Sequence, residues 1–337
     1  MTTLMERKHS FVYNPRPRPP PPPKSRLLPM SVIANLPPDR KALFSRLMRQ
    51  SKAFNDASKP RKLLSNPYKF ILSEASVRSR RLVDTQARTF WDDSMFVCLP
   101  EPVSTFLYRY GYFEEGLTAF FIAVLREGDC FMDVGSHFGY FSMLARHLIG
   151  ASGRIVAFEP TPSTFQRNRR NTGRFDNIHV ENRAAWSVPK TITLTDLGVA
   201  WSSHNSLIKP KMVPNGMKTE SRTHEVDCVK LDDYIEQHGI RANLIKIDAE
   251  SAELEILKGL SNTLRSSRPM ITLEVGDDPA ANSGVKSADA VSYCATFDYV
   301  PFIYADGEIR RHEIQDVYEY DNVFMVPSEK VHAILRI

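Results

Sequence analysis

Cysteine is scarce: Cys98, Cys130, Cys228 and Cys294 stand far apart in 337 residues, and none pairs as CxxC. Such spacing argues against a zinc ribbon or a disulfide scaffold. It fits buried, reduced thiols in a reducing, cytoplasmic compartment. Long apolar runs are also missing. The longest, residues 117–125 (LTAFFIAVL), is about half the length of a membrane span. No apolar stretch follows the first charges, so no secretory signal is expected. Repeats of 20–50 residues are absent, as is GxGxxG. What remains is 42% hydrophobic and 25% charged, a balance that excludes a wholly disordered chain or a collagen-like fibre.

The charge is unevenly spread. Residues 1–100 hold 19 Lys and Arg against 7 Asp and Glu, and the rest of the chain holds 25 against 32. Ten of the 23 prolines precede residue 39. Residues 14–24 (NPRPRPPPPPK) cannot be helical, because proline lacks the amide donor and clashes with the preceding turn. We expect residues 1–38 to form a disordered, proline-rich basic arm, able to bind a protein partner with an aromatic groove or a polyanion. Residues 39–104 are expected to form a helical basic extension, with Asp39 capping a helix that carries Leu43, Phe44, Leu47 and Met48 on one side.

From about residue 105 the pattern alternates. Residues 130–134 (CFMDV), 154–158 (RIVAF), 178–180, 244–247, 270–275 (MITLEV), 299–304 and 322–326 have the short apolar runs of strands. Residues 138–149, 164–174 and 252–260 have helical spacing between them. Alternating strand and helix predicts a doubly wound, mostly parallel α/β sheet over residues 105–337. Ligands in such sheets lie beyond the carboxyl ends of the strands.

Two motifs fall at those ends. Asp133-Val134-Gly135-Ser136-His137-Phe138-Gly139 follows a strand and opens a helix. Its glycines suit a tight turn and close helix–strand packing, and its acid favours a ligand bearing ammonium or sulfonium charge. Glu159 ends the next strand, placed to accept hydrogen bonds from ribose hydroxyls, and Pro160 stops that strand. The second motif, Lys246-Ile247-Asp248-Ala249-Glu250-Ser251, starts in a buried strand. Ser251 is expected to cap the helix that follows. Asp133, Glu159, Asp248 and Glu274 thus all end strands of one sheet, a pattern that core packing does not explain, since charges are rarely buried unpaired.

The segments FMDVGSHFGYFS, IVAFEPTPSTFQRNRRN, VKLDDYI, IKIDAESAELEILKG and RPMITLEVG, in that order, resemble the FkbM-type methyltransferases over about residues 107–327. These are class I enzymes dependent on S-adenosylmethionine. The resemblance implies a Rossmann-like, seven-stranded sheet, S-adenosylmethionine as donor, and O-methylation of a hydroxyl on a sugar, glycan or secondary metabolite. It implies that Asp133, Gly135, Ser136, His137, Gly139 and Tyr140 form the donor loop and that Glu159 and Pro160 lie at the ribose. Asn182, Ala184 and Ala185 then wall the adenine, and Asn171 holds a structural position. Ser136-His137 replaces the usual Ala-Asn. Ser251 replaces a glycine, which matters if the position needs positive φ.

Methyl transfer is an in-line displacement, and a hydroxyl needs a base or a metal to take or polarise its proton. Asp248 is the candidate base, with Glu250 beside it. His204, in the polar stretch after Trp201, is a second candidate. Glu114 is read either as lining the donor pocket or as capping the helix near Leu117. Alternatively, Asp248, Glu250 and Glu274 hold Mg²⁺. Three function classes follow: a small-molecule or glycan O-methyltransferase, a nucleic-acid or protein methyltransferase using the basic N-terminal region, and a non-catalytic scaffold. The first is the one preferred.

Overall fold

The computed structural model describes residues 36–56, 64, 66–204, 222–277 and 286–335. Most of the expected proline arm, and most of residues 198–224, lie outside them. The first elements are helices α1 (Pro38–Asp56) and α2 (Pro67–Ser79), an antiparallel hairpin of β1 (Val83–Arg88) and β2 (Ser94–Leu99), and helices α3 (Pro102–Tyr110) and α4 (Glu115–Val124). Pro38 opens α1, which puts Asp39 in its first turn rather than at the cap. The hairpin was not legible in the sequence, because β1 (VDTQAR) is polar and buries only Ala87 fully.

The central sheet begins with β3 (Cys130–Val134), β4 (Arg154–Phe158) and β5 (Ile178–Glu181), and α5 (Tyr140–Ile149) and α6 (Pro162–Thr172) connect them. An insert follows: β6 (Ala184–Trp186), β7 (Lys190–Asp196), 3₁₀ turns over Val199–His204, and β8 (Arg222–Lys230). β6, β7 and β8 form a separate three-stranded sheet in the order β6-β8-β7. The chain then returns through α7 (Leu231–Gln237), β9 (Leu244–Ile247), α8 (Glu253–Lys258), α9 (Ser261–Ser266), β10 (Met270–Val275), α10 (Ser287–Ala295), β11 (Tyr299–Ala305), β12 (Glu308–Arg311) and β13 (Asp321–Pro327). A short helix, α11 (Val331–Leu335), ends the described residues.

The main sheet has the order β12-β11-β13-β10-β9-β3-β4-β5. It is parallel from β5 to β10, and β13 runs antiparallel between β10 and β11. Seven strands were expected. The eighth is β12, the short hairpin mate of β11. A parallel sheet must be covered on both faces, and the strand period of two divides its side chains between two cores. Phe131, Ile155, Leu244 and Phe324 pack with Phe120, Phe121 and Leu144. Their neighbours Met132, Val156, Ile245 and Val323 pack on the other face with Tyr234, Ile256 and Val291. Leu43, Phe44 and Leu47 of α1 belong to the first core, so the N-terminal helix is part of the layer covering that face.

The chain runs outward from β3 to β5 and later returns to β9 on the other side of β3. The carboxyl ends of β3 and β9 therefore flank the switch point where such sheets bind ligands.

Candidate functional site

At this switch point the backbone of the loop after β3 touches the end of β9. Gly135 has φ +80°, and a β-carbon there would lie 1.7 Å from the Asp248 carbonyl oxygen. Only glycine fits. Gly139 has φ +87°, and a β-carbon would press on the Asn168 side chain at 3.0 Å. Asn168 donates to Ser136 Oγ at 2.9 Å and to the His137 carbonyl at 3.0 Å, which fixes the loop against α6. Asn171 donates to the Phe96 and Phe138 carbonyls and accepts the Phe96 amide, tying β2 to the same loop.

His137 also takes a positive φ, +47°. Its Nε2 lies 2.8 Å from Ser202 Oγ, and that hydroxyl donates to the Val199 carbonyl at 3.1 Å. With the hydroxyl proton used on Val199, Nε2 is the donor in this pair. Burial pushes the imidazole below its usual pKa, against the nearby charges of Glu101 and Asp248, so the ring is neutral at pH 7. His137 therefore clasps the Val199–His204 turns onto the loop. His204 ends those turns, and its side chain lies outside the described residues.

Charge is concentrated between the two strands. Asp133, fully buried, accepts from Ser142 Oγ at 2.6 Å and lies 3.7 Å from Lys246 Nζ. The same ammonium donates to Asp248 at 2.9 Å and to the Gly135 carbonyl at 3.3 Å. Burial opposes the lysine's charge, but Asp248 and Asp133 outweigh it and hold its pKa above the usual value. Asp133 is thus an internal partner of Lys246 and Ser142, and Asp248 is the half-buried carboxylate that reaches the crevice.

Glu159 sits at the end of β4, 6% exposed. Its two oxygens accept the His137 amide at 3.0 Å and the Thr161 amide at 2.9 Å. Burial pushes its pKa up to about 7, against the pull of those bonds. Asn182 donates to the carbonyls of Glu159 and Pro160 at 2.9 and 3.0 Å, closing this corner. Ala184 and Ala185 are buried: the first packs within the small sheet, the second against the main one.

Glu114 overturns the capping alternative. It stands at the N-cap position of α4 with φ +42°, yet its side chain caps nothing. It turns instead to accept the hydroxyl of Tyr320 through Oε1, while Oε2 is buried with no hydrogen bond. The Asn322 amide lies near enough to stabilise the carboxylate. Burial, then the charge of Asp248, raises its pKa to about 7. Tyr140, buried, places its hydroxyl on the Phe113 amide and on Thr118, holding the turn that presents Glu114. Tyr320 was missed by sequence reading. It lies just before β13 in a stretch without periodicity, and only the fold brings it to Glu114. Ser142, Asn168 and Thr161 were missed as well, because helical spacing does not show which side chains they meet.

The turn after Asp248 departs from expectation. Glu250 and Ser251 both have positive φ, +51° and +80°. Ser251 does not cap α8: Ala252 holds that place, and Glu253 accepts the Ala249 and Ser251 amides at 3.0 and 3.3 Å. Among the described residues no three His, Cys, Asp or Glu side chains group to hold a metal ion, so Asp248, Glu250 and Glu274 do not form the Mg²⁺ set entertained above.

Residues 133–311 match the family model described as the methyltransferase FkbM domain. The chain is similar to the hexuronic acid methyltransferase AglP of Haloferax volcanii, 27% identical over 172 residues, covering 49% of this chain and 64% of that protein. It is similar to the 31-O-demethyl-FK506 methyltransferase FkbM of Streptomyces tacrolimicus, 29% identical over 161 residues, covering 41% and 62%. It therefore spans less than two thirds of either relative. A solved structure of methyltransferase FkbM from Methylobacillus flagellatus KT aligns at 15% identity and a TM-score of 0.36, over 65% of this chain and 52% of that one.

Proposed function

The chain belongs to the FkbM methyltransferase family, and from that premise we propose that it transfers a methyl group from S-adenosylmethionine to a hydroxyl of a sugar, glycan or secondary-metabolite acceptor. The observation that supports this reading is the contact of Gly135 with the Asp248 carbonyl, at the end of a β3 that is flanked by β9 on one side and by β4, which Glu159 follows, on the other. The residues present fit the donor. Glu159 offers carboxylate lone pairs for ribose hydroxyls, the role an acid takes at this strand end. The Glu114 carboxylate, whose Oε2 is buried, suits an ammonium group. The donor, when bound, supplies a methyl group on positively charged sulfur.

In this reading the loop from Gly135 to Gly139 and the Asn182 corner hold the donor in one orientation, and that alignment lowers the barrier of an in-line transfer. Lys246 holds the Asp248 carboxylate by a hydrogen bond at 2.9 Å, in place to accept the acceptor hydroxyl's hydrogen bond and take its proton. The names of the two relatives, one acting on a hexuronic acid and one on an O-demethylated product, support a hydroxyl acceptor. A nucleic-acid role draws less support, because basic groups near the N-terminal hairpin are spent on internal ion pairs: Arg167 with Asp84, Arg174 with Asp93, and Arg46 and Arg88 with Asp92. Leu36 is buried in the main core and Pro38 opens α1, so the arm assigned to a protein partner is shorter than the expected 1–38, and deletion of residues 1–35 should leave donor binding unchanged.

Calorimetric titration with S-adenosylmethionine and S-adenosylhomocysteine tests the reading. Micromolar binding is expected. Glu159→Ala should weaken it strongly, whereas Asp248→Ala should keep binding and lose transfer. Absence of binding by the wild type would sink the proposal.

A further inference from the structure

Helix α2 is turned inside out. Its buried residues are Ser73 and Ser76, while Tyr68, Ile71, Ala75 and Arg78, spaced i, i+3, i+7 and i+10 along one face, are exposed. Tyr68 is 70% exposed and Ile71 62%, and Leu82, just past the helix, is 51% exposed. Polar contacts hold the inner face. Ser73 Oγ donates to the Lys69 carbonyl at 2.7 Å and accepts from Arg109 Nε at 2.8 Å, and Arg109 also pairs with Glu74 at 2.8 Å. Ser76 Oγ donates to the Arg81 carbonyl at 2.7 Å, which fastens the chain beyond the helix end. Leu72 packs against the core on one face of the main sheet. The helix is thus anchored through serines and shows apolar side chains to solvent, the reverse of an ordinary surface helix.

The charge around that stripe has one sign. Residues 57–82 carry seven Lys and Arg and a single acid, Glu74, which Arg109 holds. The next acid, Asp84, is taken by Arg167 at 2.6 Å. Arg78, Arg80 and Arg81 are exposed, and among the described residues no carboxylate pairs with them. We propose that α2 docks flat on a bilayer surface bearing anionic phospholipid, with Tyr68, Ile71 and Leu82 at the boundary of headgroups and acyl chains and Arg78, Arg80 and Arg81 on lipid phosphates. This surface is separate from the donor crevice, and the proposal does not depend on methyl transfer. A bilayer supplies both halves of the match, apolar depth and negative charge, and a helix lying on it needs no span. Tyrosine and arginine suit that depth, because ring and stem are apolar while their tips stay wet. The helix is folded before it binds, so docking costs little ordering. Other coverings fail on charge. Residues 1–35 carry six Lys and Arg against one acid, Glu6, and a symmetric pairing of two copies would set one basic stripe against the other.

Co-sedimentation of the full chain with lipid vesicles tests this. It should bind vesicles of equimolar phosphatidylcholine and phosphatidylserine at least about tenfold more tightly than phosphatidylcholine alone, and added salt should weaken the binding. Tyr68→Ser combined with Ile71→Asp should lower the affinity at least about tenfold, and so should Arg78→Glu combined with Arg81→Glu. All four positions are exposed, so circular dichroism and the thermal midpoint should stay those of the wild type. No binding, or equal binding to the two vesicle types, overturns the proposal. Binding that ignores Tyr68→Ser with Ile71→Asp also overturns it, because charge elsewhere would then be the cause. Single-stranded RNA, titrated in parallel, should not respond to that double variant. A loss as large as the one on vesicles would make the partner a nucleic acid and sink the bilayer. A dimer in sedimentation velocity that Ile71→Asp disperses would assign the face to a second copy, which overturns the proposal as well.

Discussion

Ser251 holds a β-carbon at φ +80°, in the left-handed region where side chains crowd the backbone. The sequence motif marked this position as one where a glycine is usual, and the dihedral supplies the reason. Ser251→Gly should therefore raise stability by about 1 kcal/mol, read from the denaturant midpoint at unchanged slope. Gly135→Ala should act in the opposite sense, costing about 3 kcal/mol or more and losing the donor, because its methyl would occupy the place of the Asp248 carbonyl. Glu159 gives a pH test. Its folded pKa of about 7 means that it is protonated below neutrality and ionised above. If the ionised form binds ribose, donor affinity should fall by up to about tenfold per unit as pH drops below 7, while Glu159→Gln binds weakly at every pH. A flat wild-type profile between pH 6 and 8 would remove Glu159 from the ribose.

Single side chains also couple elements. Asn171 lies in α6 yet satisfies the Phe96 amide and carbonyl of β2 and the Phe138 carbonyl of the loop after β3. Asn171→Ala leaves those groups without partners and should cost about 2 kcal/mol. It should also weaken S-adenosylhomocysteine binding, because the loop loses its tie to the hairpin. Retained affinity with lowered stability would make the residue purely structural. The sequence pointed to Asn171 as structural, but it could not reveal the hairpin that the residue serves.

Across the whole molecule, α1 and the main sheet share one core. Phe44 is 1% exposed in the same cluster as Phe120, Phe302 and Phe324. Phe44→Ala should cost about 3–5 kcal/mol. The loss should appear as one shifted transition by both far-ultraviolet circular dichroism and tryptophan fluorescence, because helix and sheet bury the same surface. Two separate transitions would mean that the N-terminal helices fold apart from the sheet. No helix among the described residues is long and apolar enough to cross a membrane.

Much of this was written in local pattern. Continuous apolar runs such as LIKI belong to strands buried on both faces, and turn residues such as Gly135 mark where the chain must double back. Asp133, Glu159 and Asp248 stand out because charge at a strand end is unusual, although the fold spends Asp133 on Lys246 and Ser142. These features are local, so the sequence by itself determined the alternating α/β architecture and which charged residues stand at the strand ends of the switch point. The polar hairpin, the eighth strand, the Lys246 bridge between Asp133 and Asp248, and the meeting of Glu114 with Tyr320 join residues far apart in the chain. Glu114 and Tyr320 are separated by 206 positions. No period or motif encodes such a contact. Only the tertiary structure decided it, through the order in which the strands lie side by side.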